Sequence, residues 1–387
     1  MAQTIAILGS TGSIGKNAVK VINSLGPEYN ILALTANSSV KLLAAQAKQC
    51  HPRYIAITNP DYYTDLVEEL DGLKVEILTG PDSLVQIAQM QEVDTLITAI
   101  VGAAGLPAVL AGAKCGKRLA IANKEPLVVA GKLLTETAYV NNAEILPIDS
   151  EHSAVFQAIQ SGRADEVRRI ILTASGGPFR GATMADIENV TLEQALDHPT
   201  WNMGPKVTVD SATMMNKALE VIEARWLFDI EVSKIDVLVH PQSIVHSLVE
   251  FVDGSIIAQM GTPDMKLPIQ YALTYPNRVA GTAEHLKLEK LGKLTFEKPD
   301  FEVFRALALG FEVAKTAGTA AAVFNAANEA AVEQFLAGNI KFVTIVELIE
   351  HCLNKHNAQT DVSLEQLIEA DQWARREVNQ CLKQRVY

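Results

Sequence analysis

The first 150 residues alternate short apolar runs with longer amphipathic stretches. Runs at Thr4–Leu8, Ile31–Thr35, Tyr54–Ile57, Val75–Leu78, Thr95–Ala99, Leu119–Ala122 and Ile145–Ile148 read as strands. A helix opening near Ile14 and helices at Val40–Cys50, Tyr62–Leu70, Asp82–Met90, Leu106–Cys115 and Pro126–Val140 fit between them. Such alternation predicts an α/β domain over residues 1–149, with a parallel, doubly wound sheet. Thr95 to Ala113 carries no charge and approaches bilayer-spanning length. Gly102, Gly105, Pro107 and Gly112 interrupt it, so it reads as a buried strand over Thr95–Ile100, a tight turn and a helix.

The pattern changes over residues 150–274. Glu151–Gln160 reads as helix and Val167–Thr173 as strand, and Ala174–Pro205 is rich in Gly, Pro, Thr and His with no long periodic element. A helix from Ala212 to Phe228 follows, then strand-like runs Ile235–His240, Ile244–Phe251 and Ser255–Met260, with Asp253-Gly254 as a hairpin turn. This predicts an α+β domain whose last strands suit a sheet between subunits. Residues 275–300 read as a linker punctuated by Gly and Pro. From 301 to 387 the chain reads all-helical, at Phe304–Thr316, Ala320–Leu336, Val343–His356 and Leu364–Leu382, as a C-terminal helical bundle.

The composition of the 387 residues is that of a globular protein, 48% hydrophobic and 20% charged, which excludes disordered and fibrous classes. The formal charge of −12 disfavours nucleic acid and anionic lipid as partners. A phosphorylated small substrate would need locally placed cations. Cys50, Cys115, Cys352 and Cys381 form no CxxC pair, so their spacing signals neither a zinc site nor a disulfide framework. The opening residues Met1-Ala2-Gln3-Thr4-Ile5 lack the pattern of a secretion signal, and a cytoplasmic protein is expected.

Gly9-Ser10-Thr11-Gly12-Ser13-Ile14-Gly15 directly follows the first strand and opens a helix. Glycines here permit a tight turn, close approach of a pyrophosphate to the backbone, and close helix–strand packing. The free N–H groups of the helix start would face the anion. The spacing is GxxGxxG, a variant of the dinucleotide fingerprint. The second strand ends Ala36-Asn37-Ser38-Ser39, and no acidic residue lies between Glu28 and Asp61 to hold ribose hydroxyls. With Lys41 nearby, this favours NADPH over NADH; the competing reading is a polar loop capping the helix at Val40.

Asp149-Ser150-Glu151 follows the last strand of the first domain. If strand geometry persists, Asp149 and Glu151 point to one side at the carboxyl edge of the sheet, where an oxygen-liganded divalent cation would relieve their repulsion. Otherwise they are an N-cap and a first-turn acid. In the helix near 211–228, Asn216, Lys217 and Glu220 share one face, with Met214, Ala218, Val221 and Ile222 inward. They read either as a surface ion pair or as a phosphate-holding group beside a metal. Segments 175–180 and 198–206, with Trp201 and Met203 among Gly and Pro, read as a mobile lid or as a self-packed surface loop.

Taken together, GSTGSIG (9–15), ANKE (122–125), PIDSEH (147–152), ASGGPFR (174–180), HPTWNMGPK (198–206), DSATMMNKALE (210–220), HPQSIVHS (240–247) and NAANEAAV (325–332) resemble the 1-deoxy-D-xylulose 5-phosphate reductoisomerase family over the whole chain. The resemblance implies a Rossmann-like NADPH-binding domain (1–149), a catalytic and dimerisation domain with a mobile lid (150–274), a linker (275–300) and a helical domain (301–387). It implies a cytoplasmic homodimer acting on a phosphorylated ketose, with NADPH and Mg²⁺ or Mn²⁺, or else Co²⁺. By resemblance Asp149, Glu151 and Glu220 hold the metal. Ser150, Glu151, Ser175, His198, Trp201, Met203, Ser211, Asn216, Lys217 and Glu220 meet the substrate. Thr11, Gly12, Ser13, Ile14, Ala36, Asn37, Ser38, Asn123, Lys124, Glu125 and Gly204 meet the cofactor. Lys124, Glu151 and His198 are the implied catalytic residues, and His246 falls in a motif tied to substrate handling. Ala174 stands where some relatives have glycine, and the turn after Ala36 lacks a lysine some relatives place there. The residues alone also allow a metal-assisted NADP dehydrogenase without rearrangement, or a non-catalytic cofactor sensor.

Overall fold

The computed structural model describes residues 2–384; Met1 and residues 385–387, at the ends of the expected first and last domains, lie outside the described residues. In chain order the elements are β1 (Gln3–Leu8), α1 (Ser13–Leu25), β2 (Tyr29–Ala36), α2 (Val40–Cys50), β3 (Tyr54–Ile57), α3 (Tyr63–Glu69), β4 (Glu76–Thr79), α4 (Asp82–Gln89), β5 (Thr95–Thr98), α5 (Leu106–Lys114), β6 (Arg118–Ile121), α6 (Glu125–Val140) and β7 (Glu144–Pro147). There follow α7 (Ser150–Ile159), β8 (Val167–Ala174), α8 (Met184–Ile187), α9 (Leu192–Leu196), α10 (Pro205–Ala212), α11 (Met215–Leu227), β9 (Ile235–Val239), β10 (Val245–Phe251) and β11 (Ile256–Met260). The chain ends with α12 (Lys266–Thr274), α13 (Arg305–Thr316), α14 (Thr319–Leu336), α15 (Phe342–Lys355) and α16 (Leu364–Gln384).

One compact unit comprises residues 2–126, Leu134–Ser153 and Asp264–Glu284. Its sheet has the order β4-β3-β2-β1-β5-β6-β7, parallel throughout. The chain winds outward from β1 on one side and from β5 on the other, so β1 and β5 flank the topological switch point. Strand residues Ile5, Ile7, Leu8, Leu34, Ile55, Ile57, Leu96 and Ile97 are fully buried, as strands covered on both faces require. The uncharged 95–113 stretch is β5, a one-turn 3-10 segment and α5, and no helix among the described residues is long and apolar enough to cross a membrane.

The expected boundaries at 274 and 300 are drawn differently in the structure. α12 returns to the first unit, where it packs on α1, β6 and β7. Its residues Pro268 to Thr274 are all buried, so it needs covering on every side, and the sheet unit supplies that cover. Gln270 then donates to the Val279 carbonyl at 2.8 Å and Thr274 to the Asn277 carbonyl at 2.9 Å, tying down the start of the predicted linker.

The second unit comprises Leu127–Leu133, Ala154–Pro263 and residues 285–384. Its sheet has the order β11-β10-β8-β9, with β8 and β9 parallel and the other pairs antiparallel. The Asp253-Gly254 turn joins β10 and β11 as predicted, with Gly254 at φ 88° and Ser255 N–H donating to Asp253. Helices α13 to α16 pack on one another and include the predicted terminal helices.

Candidate active site

In the first unit the glycine turn is built by contact. Gly9 has φ 85°, and a Cβ there would stand 2.5 Å from the Ala99 carbonyl oxygen. A Cβ on Gly15 would meet the Gly9 carbonyl oxygen at 2.3 Å. Only glycine closes this turn and lets α1 start on top of it. Ser10 and Thr35 lock the turn to β2 and α2: Gly9 N–H donates to Thr35 Oγ1 of β2 at 2.9 Å, and Ser10 Oγ donates to Gln46 Oε1 of α2 at 2.7 Å. Gly12 differs, because a Cβ there would meet nothing closer than 3.5 Å. It is the N-cap of α1, which has no side-chain cap and no acid in its first turn. Thr11, Gly12, Ser13 and Ile14 therefore border open space at a helix N-terminus, beside the switch point.

Ala36 is buried at the end of β2, and Asn37, Ser38 and Ser39 are exposed. Asn37 Oδ1 accepts from Thr58 at 2.9 Å, and Ser39, the N-cap of α2, makes no side-chain cap bond. The helix-capping role considered for this loop is thus not what its side chains do. Asn123 lies at the end of β6, with Nδ2 3.5 Å from the Gly102 carbonyl oxygen. That places it against the 99–105 loop, which also touches Gly9. Sequence reasoning did not place this loop beside the glycine turn; its signal was the same small uncharged run that approaches bilayer-spanning length.

Lys124 pairs with Asp149 in a nearly buried salt bridge, side chains 12% and 11% exposed. Glu125 is buried in the first turn of α6. The strand-geometry expectation for 149–151 fails. β7 stops at Pro147, and Ser153 N–H donates to the Asp149 carbonyl at 2.8 Å, so Asp149 is the N-cap position of α7 and Glu151 lies in its first turn. Ser150 Oγ donates to Glu151 Oε2 at 2.7 Å. The two carboxylates are placed together by the first turn of a helix, not by strand alternation.

In the second unit Ser175, His198, Ser211, Asn216, Lys217 and Glu220 belong to neighbouring segments. Gly176 and Gly177 take φ of 86° and 64°, and a Cβ on Gly177 would lie 2.7 Å from the Ser211 carbonyl oxygen. The ASGGP segment can therefore lie directly on the end of α10. Ser175 Oγ is 3.0 Å from His198 Nε2. His198 Nδ1 accepts from the backbone N–H groups of Thr200 (3.1 Å) and Trp201 (2.9 Å), so the proton sits on Nε2 and is donated to Ser175. Burial pushes the His198 pKa below its usual value. The Trp201 ring stands 6.4 Å from that of His246, centroid to centroid, while Met203 is half-buried. Gly204, N-cap of α10, has nothing within 4 Å of a would-be Cβ.

The helix predicted from Ala212 to Phe228 is α11, which opens at Met215, and a separate helix that the sequence reading did not assign, α10, ends at Ala212 just before it. Thr213 Oγ1 donates toward the Val209 and Asp210 carbonyls (3.1 and 3.2 Å) and accepts from Met215 N–H (3.3 Å), while Met214 turns to φ 61°. The break sets Ser211 at the end of α10 and Asn216, Lys217 and Glu220 in the first turns of α11. Asn216 Nδ2 donates to Glu220 Oε1 at 2.6 Å, and Lys217 pairs with Glu220 Oε2. Lys217 and Glu220 are 4% and 0% exposed, which rules out the surface-pair reading. Met214, Ala218, Val221 and Ile222 are buried as predicted. Sequence reasoning missed one support: buried Asp210 joins Lys206 (2.8 Å) to Asn328 of α14 (2.9 Å), which connects the 198–206 loop to the NAANEAAV motif.

Family matches follow the same segments. Residues 5–131 match 1-deoxy-D-xylulose 5-phosphate reductoisomerase, 145–228 its C-terminal domain, and 260–377 the DXP reductoisomerase C-terminal domain. The reductoisomerase of Pelodictyon phaeoclathratiforme is 49% identical over 373 residues, 96% of this chain and 98% of its own. The chain belongs to the 1-deoxy-D-xylulose 5-phosphate reductoisomerase family. The Ruminiclostridium cellulolyticum reductoisomerase is 46% identical over 382 residues, 99% of this chain and all of its own. Among solved reductoisomerase structures, the Zymomonas mobilis enzyme in complex with NADPH superposes with a TM-score of 0.93 at 45% identity, covering 99% of both chains. A reductoisomerase in complex with NADPH, fosmidomycin and magnesium gives 0.93 at 42% identity over 98% of both.

Proposed function

We propose that this chain is an NADPH- and metal-dependent 1-deoxy-D-xylulose 5-phosphate reductoisomerase. It would rearrange the ketose phosphate to a branched aldehyde by retro-aldol cleavage and re-aldolisation, then reduce it to 2-C-methyl-D-erythritol 4-phosphate in the non-mevalonate isoprenoid pathway. Full-length family membership, joined to the two carboxylate sets at 149–151 and 220, carries this reading. Nothing observed favours a dehydrogenase without rearrangement or a cofactor sensor.

The residues fit both groups. At the glycine turn, an uncapped helix N-terminus beside Gly12 leaves room that a Cβ would begin to fill, as a pyrophosphate needs. Thr11, Gly12, Ser13 and Ile14 take that role, Ala36, Asn37 and Ser38 the adenosine end, and Asn123, Lys124, Glu125 and Gly204 the remaining contacts. The donor set Asp149, Glu151 and Glu220 is all oxygen and anionic, which suits Mg²⁺ or Mn²⁺. When bound, the cation supplies Lewis-acid polarisation of adjacent carbonyl and hydroxyl oxygens.

Ser175, Ser211, Asn216 and Lys217 hold the substrate phosphate, with Lys217 the local cation that the chain's overall acidity makes necessary. Ser150 and Glu151 orient the carbon skeleton, and Lys124, fixed by Asp149, faces the reacting end. His198, Trp201 and Met203 close over the substrate and exclude water, His198 through its Ser175 bond and His246 through its place against Trp201. The enzyme is read as a cytoplasmic homodimer that contacts neither nucleic acid nor membrane.

The deciding experiment follows NADPH absorbance with 1-deoxy-D-xylulose 5-phosphate, with Mg²⁺ and then with excess EDTA. Oxidation that needs both substrate and metal, with a branched polyol phosphate as product, is the expected result. No oxidation in a folded protein that binds NADPH would leave a reductase of another substrate.

A further inference from the structure

A second group of ligand-type side chains lies in the terminal helices, made of none of the residues assigned to the reaction. His351 on α15 and Glu377 and Cys381 on α16 bring an imidazole nitrogen, a carboxylate oxygen and a thiol sulfur within 4.8 Å of one another. His351 Nε2 is 3.0 Å from Glu377 Oε1, and Cys381 Sγ is 3.7 Å from the same oxygen. Ligands held at about 2.0–2.3 Å around one tetrahedral zinc stand roughly 3.3–3.7 Å apart; the two separations from Glu377 Oε1 lie at or near that range, and the third lies within 4.8 Å. Glu377 and Cys381 are one helical turn apart and buried, while the His351 side chain is 36% exposed and opens the group to solvent.

We propose that His351, Glu377 and Cys381 form a zinc-binding site that pins α16 to α15. An imidazole, carboxylate and thiolate set selects a borderline-soft ion, whereas Mg²⁺ takes oxygen ligands. The remaining position is filled by water from the open side. Binding displaces what now faces Glu377. Lys355 Nζ, 2.7 Å from Glu377 Oε1, turns outward on a side chain that is already half exposed. His351 moves its proton to Nδ1, leaving the Nε2 lone pair for the metal. The Cys381 S–H bond breaks, its proton passes to solvent, and a sulfur–metal bond forms. Cys352, buried beside this group on α15, is not one of the three ligand-type side chains that come together there. The ligands come from two helices, which is why the spacing of cysteines along the chain does not reveal them.

The test uses the full-length protein, stripped with chelator and then held in excess Mg²⁺ so that the all-oxygen site is filled. Co²⁺ is titrated in and thiolate-to-cobalt charge-transfer absorption is recorded, a signal that carboxylate ligation cannot produce. The expected result is a band that saturates at one Co²⁺ per chain and is displaced by Zn²⁺. It disappears in Cys381→Ser, persists in Cys352→Ser, and needs about tenfold or more Co²⁺ in His351→Ala. Because His351 is partly exposed, that variant tests the site even if Cys381→Ser folds poorly. No thiolate band in the wild type, or a band unchanged in either His351→Ala or Cys381→Ser, would overturn the proposal.

Discussion

The His198 ring is held by two backbone donors on Nδ1 and by Ser175 on Nε2. Protonating Nδ1 requires both backbone bonds to be given up, and burial already lowers the pKa. For a histidine with a depressed folded pKa, the unfolded or open loop binds the proton first. The closed arrangement is therefore fully favoured above about pH 6.5 and is lost as pH falls toward the lowered value. KM for the ketose phosphate should rise on the acid side of that window. His198→Gln should start from a KM raised about tenfold and lose the part of the acid rise that belongs to the ring. Equal acid limbs in the two proteins would refute this. A second residue-scale prediction concerns Glu220. Glu220→Ala removes the carboxylate facing the buried Lys217 ammonium and should cost about 3–5 kcal/mol in a urea melt. Glu220→Gln keeps the volume and should stay folded while the Mg²⁺ dependence of turnover collapses. The shared face of Asn216, Lys217 and Glu220 was legible from spacing. Their burial was not, because a Lys–Glu pair at that spacing looks the same on a surface. Asp210 was invisible for a related reason: its partner Asn328 is 118 positions away.

At the scale of elements, the alternating apolar runs placed every strand of the parallel sheet to within two residues at each end, since a strand between two helical layers is apolar throughout. The breaks were harder to read. Thr213 bonds back to one helix and caps the next through its hydroxyl while Met214 turns left-handed, with no Gly or Pro to announce the break. The short helices α8 and α9 were readable after all, from the capping boxes Thr183…Asp186 and Thr191…Gln194, but they were hidden in a stretch that composition marked as loop. The glycine turn yields a paired prediction. Gly15→Ala drives a Cβ into the Gly9 carbonyl and should lower Tm and abolish NADPH binding together. Gly12→Ala meets only an ordinary contact within the protein and should keep its Tm while NADPH affinity falls, as read by quenching of cofactor fluorescence. A Gly12→Ala protein that binds NADPH normally would remove the pyrophosphate from that helix start.

For the whole molecule, the pattern gave the parallel α/β sheet and the terminal helices, but not the return of α12 to the first unit, because nothing local in Lys266–Thr274 says which surface will cover it. The surface that the sequence did single out is the last strand of the second unit. Among the described residues β11 lies at the edge of its sheet with one side unpaired, Ile256 and Ile257 are 51% and 36% exposed, and Val252 in the preceding turn is 67% exposed. An apolar edge without lysine, proline or a bulge on its open side is a template for another strand. In the homodimer proposed above, a two-fold axis beside β11 would pair it with its copy and bury those isoleucines. Ile256→Lys with Ile257→Lys places like charges on both copies of that seam, where directly opposed charges repel. The doubly substituted protein should sediment as a monomer and still bind NADPH, since the glycine turn belongs to the other sheet. Sedimentation unchanged from a dimeric wild type would move the interface away from β11, and a monomeric wild type would exclude it altogether.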